Sequence, residues 1–184
     1  MNRDNEDSFK VIKPFGPSIA RVKMSKELID QLNNYVDKII IDETKSENLN
    51  HGDKLAGNVT QEFRLEDDFI NSSGFGEFLF ASITNWIKFS ENKEIKEIKI
   101  ISSWIVRQFQ NEYNPVHWHG GHISGVGYLK IPKTFGQGYQ KKEKTNKNGQ
   151  LELIHGSKQF LSPSSVIVTP QIGYFYFFPH YLMH

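Results

Sequence analysis

Cysteine is absent from the 184 residues. That excludes disulfides, thiol catalysis and cysteine–zinc sites together. Long apolar runs are missing as well: none approaches the roughly 20 residues a helix needs to span a bilayer. The stretch Met1–Lys10 is polar and acidic, unlike the basic-then-apolar pattern of a secretory signal. Charge of one sign is also lacking. The net charge is +1, so no whole-molecule field points to nucleic acid or to an anionic membrane. These absences leave an expectation of a cytoplasmic protein with neither a membrane nor a nucleic-acid partner. The length suits one domain with a sizeable core, and self-association as a homodimer stays open.

What the chain has in quantity is aromatic residues, with 14 Phe, 7 Tyr and 3 Trp. Such side chains suit the half-buried surface of a pleated sheet. Residues Phe9 to Val22 alternate and carry Pro14, Gly16 and Pro17, which predicts an edge-type strand. Met24 to Ile41 reads as a helix. Ser25 is placed to cap it, Glu27 lies in the first turn, and Leu28, Leu32, Tyr35, Val36, Ile39 and Ile40 form one apolar stripe. Residues 42 to 58 read as loop, and Phe75 to Phe89 as a second helix; both helices are expected to support one face of a sheet. From Ile98 onward the pattern changes to short strands: Ile98–Phe109, Ile123–Ile131, Leu151–Ile154, Ser165–Val168 and Tyr174–Phe178. The glycine- and lysine-rich stretch 136–149 reads as a solvated connection. The organisation is a mainly antiparallel β domain with helical support: helical support at about 9–97, β core at about 98–184, and no second domain.

Histidine carries the chemistry. His117 and His119 are two residues apart, so in an extended segment their side chains share a face while Trp118 points away. Neutral imidazole is a common ligand for mid-row transition metals. The pair alone also fits two hydrogen-bonded histidines near a turn. A second signal closes the chain: an aromatic strand, Phe178-Pro179, then His180 and His184. A histidine there can approach the pair from the opposite wall, leaving one side of a metal open. His184 is the expected third ligand and His180 its backup. His122 lies off the register of the pair and reads as supporting or solvent-facing, and His51 and His155 read as surface residues.

The segment Glu112-Tyr-Asn-Pro-Val-His-Trp-His-Gly-Gly-His-Ile-Ser-Gly-Val-Gly-Tyr-Leu-Lys-Ile-Pro132 resembles the metal-binding stretch of the 2-oxoglutarate/iron(II) oxygenases of phages and marine bacteria. Gly173 to His184 resembles their later segment, and Trp104 sits where they carry a tryptophan on the preceding strand. Phe15-Gly16-Pro17, Leu55-Ala-Gly-Asn58 and Glu62-Phe63 match their opening more loosely. This group is prolyl-4-hydroxylase-like. The resemblance implies a double-stranded β-helix (a cupin-like jelly roll), iron(II) as cofactor, 2-oxoglutarate as co-substrate and a hydroxylase whose primary substrate stays unknown. It implies His117, His119 and His184 as the ligands, with Asn114 beside them.

Two departures stand out. The wider superfamily has a carboxylate where this chain has His119, so either the site has three histidines or His119 is a non-ligand with water in its place. The superfamily also holds the far carboxylate of 2-oxoglutarate with a basic residue after the distal histidine, beyond His184 here, so the domain is expected to be shortened at its C-terminus. Tyr128 resembles a tyrosine that touches the co-substrate tail, and core packing is the other reading open to it. Ser124, Val126, Tyr128 and Lys130 share a face by alternation, so Ser124 joins the expected co-substrate contacts. Lys130 is either a replacement cation or an ordinary strand-end lysine. Two rival classes remain: a cupin-type metal enzyme without keto acid, and a non-catalytic jelly-roll binding module.

Overall fold

The computed structural model describes residues 8–12, 16–52, 55–137 and 146–184. Part of the predicted opening (Pro14, Phe15) and most of the lysine-rich connection lie outside these residues. Eight strands and four α-helices are formed among the described residues, and every strand pair is antiparallel. By contacts the chain divides into two compact units. One comprises the N-terminal stretch to Lys23 together with Trp118–His184; the other comprises Met24–His117.

The first unit is built on a four-stranded sheet of order β1-β2-β8-β5, with β1 Phe9–Ile12, β2 Ile19–Lys23, β5 Ile123–Gly127 and β8 Tyr174–Pro179. The single strand expected over Phe9–Val22 is a hairpin. Pro17 lacks an amide donor and Gly16 adopts φ +118°, a left-handed conformation that glycine alone takes readily, so the ladder is interrupted there. A second sheet pairs β6 Leu151–Ile154 with β7 Ser165–Val168, as the sequence predicts.

Alternation along β8 divides its side chains. Tyr174, Tyr176 and Phe178 pack with Ile19, Leu153, Val168 and Leu182 into one buried cluster, joined by Val126 and Tyr128. The core of this unit therefore lies between the two sheets. Phe175 and Phe177 stand on the opposite face with their rings 4.6 Å apart. Gly125 and Gly127 lie against the Phe175 ring, where any Cβ would collide with it. That close approach accounts for the Ser-Gly-Val-Gly alternation of β5: residues with side chains face the core, and glycines lie under the aromatic ring. Strand β5 is shorter than predicted, although Tyr128 still donates its amide to Tyr174 O at 3.1 Å.

The second unit holds the helices. Helix α1 (Lys26–Ile41) starts where predicted, with Ser25 Oγ accepting the Leu28 amide at 3.1 Å, and it buries Leu28, Leu32, Tyr35, Val36 and Ile39. Helix α4 (Phe75–Glu91) buries Phe75, Leu79, Ile83 and Trp86. Two short helices lie in stretches not read as helical, α2 (Glu43–Leu49), inside the predicted loop, and α3 (Asp67–Ser72). Strand β3 (Gln61–Arg64) pairs with β4 (Trp104–Arg107), pairing Glu62 with Val106. The predicted strand Ile98–Phe109 forms only over Trp104–Arg107, because β3 is four residues long; upstream of it, Leu65 donates one further amide to Ser103 O at 2.9 Å. No helix among the described residues is long and apolar enough to cross a membrane.

Candidate metal centre

His117 and His119 lie in the segment 114–122, which belongs to no helix or strand. The extended conformation on which the pair's shared face was conditional is not a strand here but a loop that contains Pro115 and the Gly120-Gly121 pair. The loop nonetheless gathers the imidazoles. One ring nitrogen each of His117, His119 and His184 lies within 4.8 Å of the other two, and all three residues are half-buried. The His119 and His184 ring centroids are 5.0 Å apart. Trp118 is exposed, as an outward residue between two converging neighbours should be.

Backbone carbonyls hold two of these rings. His117 Nδ1–H donates to Pro115 O at 2.7 Å, and His184 Nδ1–H donates to Leu182 O at 2.9 Å. A carbonyl can only accept, so each bond fixes the proton on Nδ1 and leaves the Nε2 lone pair for a metal. The Phe178 ring meets His184 edge-on at 5.0 Å, fixing its ring plane from the core side. His180 does not join the cluster. Its Nδ1–H donates to His119 O at 2.9 Å and its amide to His122 O at 3.2 Å, so it pins the loop from behind. His122 and Asn114 are exposed. His155 is exposed as expected, whereas His51 is half-buried with its ring 5.7 Å from Trp104.

The expected co-substrate residues separate. Ser124 pairs with Phe178 across β5 and β8, so it shares the sheet face that meets His184. It is 8% exposed, and its Oγ is buried without a hydrogen-bond partner. Tyr128 stands further along the same face, edge-on to Tyr176 at 6.3 Å. Burial, and then the neighbouring Tyr176, push its hydroxyl above the usual phenol range, so it is a neutral donor. Lys130 lies beyond the end of β5 and is exposed.

Two polar residues emerge that the sequence reading did not single out as site residues. Arg21 pairs with Tyr176 from β2, which puts it on the core face. Its guanidinium lies over the Tyr174 ring at 4.7 Å, and its Nε is buried without a partner. Its register became visible only once β2 was known to lie beside β8. Glu62 on β3 is 2% exposed, and its Oε2 likewise has no partner. Burial raises the Glu62 carboxyl above its ordinary range, the nearby Glu112 raises it further, and His117 opposes the rise. A charged residue is almost never fully buried without a reason, but the sequence gives no burial for a glutamate in isolation.

The donor set suits a first-row transition metal, because imidazole nitrogen is a favoured ligand. The family model described as "Putative 2OG-Fe(II) oxygenase" matches residues 102–184, the part of the chain that carries all three histidines. Through its match to that model, this part of the chain is similar to non-haem iron oxygenases that use 2-oxoglutarate. No curated protein matches the chain, and no solved structure does.

Proposed function

We propose that the chain is an iron(II)- and 2-oxoglutarate-dependent dioxygenase of jelly-roll architecture, acting as a hydroxylase. The observation that carries this reading is the histidine trio, two of whose rings give their Nδ1 protons to backbone carbonyls. The match over residues 102–184 favours the same activity.

In this reading His117, His119 and His184 hold the metal. When bound, iron and keto acid supply the oxidising power: 2-oxoglutarate and dioxygen give succinate and carbon dioxide, and one oxygen atom enters a substrate C–H bond. The residues of the chain bind and orient. The buried Ser124 hydroxyl and the neutral Tyr128 hydroxyl are donors on the face beside His184. Arg21 supplies a cation for the far carboxylate. An arginine suits that role because its planar fork matches a carboxylate. The exposed Lys130 is left as an ordinary surface lysine. The apolar ring wall of Tyr174, Tyr176 and Phe178 keeps water from the inner side.

The test is iron-dependent conversion of 2-oxoglutarate to succinate without added primary substrate, a slow uncoupled reaction. Succinate that needs Fe(II) and disappears in His184→Ala supports the reading. A second reading rests on the ligand set itself: three histidines and no carboxylate also suit a cupin-type dioxygenase without keto acid. Metal binding with no effect of 2-oxoglutarate on the metal would favour it.

A further inference from the structure

Among the described residues, strand β7 is the open edge of its sheet. It pairs with β6 on one side, and the far side of β6 is taken by Met183, whose carbonyl accepts the Ile154 amide at 2.7 Å. Ladder parity shows which backbone groups face outward. The His155 amide bonds to Ser164 O at 2.8 Å, so Ser164, Val166 and Val168 turn their backbone groups to β6, and Ser165 and Ile167 turn theirs to the open edge. Such an edge is a template for a further strand, and proteins commonly blunt it with lysine, proline or a bulge. Strand β7 reads Ser-Val-Ile-Val in continuous register and has none of these. No Asp, Glu, Lys or Arg occurs between Lys158 and His184. The exposed side chains around the edge are apolar as well. Ile167 is 43% exposed, and Ile172, past the end of the strand, 52%. Ahead of the strand, Phe160 and Leu161 form a two-residue turn closed by mutual backbone bonds between Gln159 and Ser162, at 3.4 and 3.2 Å. Leu161 holds φ +60°, a conformation that turns reserve for Gly or Asn and that is costly for a bulky side chain. Both side chains stand in solvent, 92% and 88% exposed, so the chain itself gives that turn little contact in return.

We infer that β7 pairs antiparallel with β7 of a second copy of this chain, across a two-fold axis through Ile167. The edge offers no charge to complement a charged partner, and none to repel a copy of itself. Residues that face each other across two paired strands must point to the same side of the sheet. An axis through Ile167 meets that condition. Ile167 faces Ile167, and Val166 faces Val168, both of which lie on the side of Leu153 and Leu151 that packs the core. Leu161 lies six residues before Ile167 and Ile172 five after it, so the same axis brings the turn of one copy toward Ile172 of the other. The charge beside Ile167 on the outer side is Glu152, its partner on β6. Two copies of Glu152 would be three strand spacings apart, about 14 Å, beyond the screening length of about 8 Å at physiological salt.

The chain has no cysteine, so Ile167→Cys supplies a single thiol and a direct readout of the axis. Facing Cα atoms in a bonded antiparallel pair are about 5.5 Å apart, within reach of a disulfide. Under mild oxidation Ile167→Cys is expected to give a covalent dimer on a non-reducing gel, and Glu152→Cys to remain a single chain. Sedimentation equilibrium of the wild type is expected to show monomers and dimers in exchange. Ile167→Lys sets two ammonium groups against each other on the axis and should raise the dissociation constant about tenfold or more. Leu161→Gly relieves the turn, so it should melt no lower than wild type and still dimerise more weakly. A wild-type chain that sediments as a monomer at every concentration overturns the inference and leaves the edge to some other strand. A dimer that withstands Ile167→Lys, with no cross-link in Ile167→Cys, overturns it by placing the interface elsewhere. Cross-linking of Glu152→Cys as fast as that of Ile167→Cys does the same, since it marks random collision.

Discussion

Each buried polar atom without a partner poses a separate question, and Arg21 Nε and Ser124 Oγ share the same sheet face. If they serve the keto acid, Arg21→Gln weakens 2-oxoglutarate binding tenfold or more, in line with losing a charge-assisted hydrogen bond of about 1.5–3 kcal/mol. Co(II) affinity stays unchanged, because Arg21 is no ligand. An anaerobic titration of 2-oxoglutarate into the metal-loaded chain checks both. Equal binding by Arg21→Gln and the wild type would remove Arg21 from the co-substrate pocket. The clustering of His117, His119 and His184 was expected on the premise of an extended segment, and it forms on a loop instead. The burial of Glu62 and of Arg21 Nε was not legible, since it depends on packing and strand order, which a single sequence does not contain.

At the scale of elements, strong periodicity was read correctly and weak periodicity was not. Helix α1 has a capped start and a continuous apolar stripe, and both are present in the fold. Helix α2 escaped because only Leu49 is buried on it, so its seven residues carry no stripe. Its one signal was Asp42, whose side chain accepts the Lys45 amide at 3.0 Å. Replacing Asp42 with Ala should cost about 1 kcal/mol through that cap, measurable by urea denaturation. The sandwich core makes a larger demand. Leu153 is wholly buried on β6, so Leu153→Ala should cost about 2–5 kcal/mol and lower the melting temperature sharply. A network in the helical unit gives a pH dependence. The Tyr35 hydroxyl, 2.6 Å from Glu66, and then Lys45, at 3.1 Å, hold the Glu66 carboxyl below its ordinary value of 4.5. A depressed carboxyl contributes stability above its unfolded value, and that contribution is lost as pH falls through the folded value. Stability should therefore decline below about pH 4.5, and Tyr35→Phe should flatten that decline. An acid limb as steep in Tyr35→Phe as in wild type would assign it to other carboxylates.

For the whole molecule, metal and fold are linked by mass action. A ligand at 100 times its dissociation constant stabilises the folded state by about 2.7 kcal/mol. His184 sits directly on the core ring Phe178, so metal bound there should raise the unfolding temperature of the β sandwich. In the proposed function the histidine trio holds iron(II) that a keto acid then chelates. The most direct test is the visible spectrum of the anaerobic chain with Fe(II) and 2-oxoglutarate. A weak charge-transfer band is expected that needs both additions, is lost in His117→Ala and His184→Ala, and survives in Lys130→Ala. A wild-type chain that binds Fe(II) but develops no band with 2-oxoglutarate would contradict the proposed function.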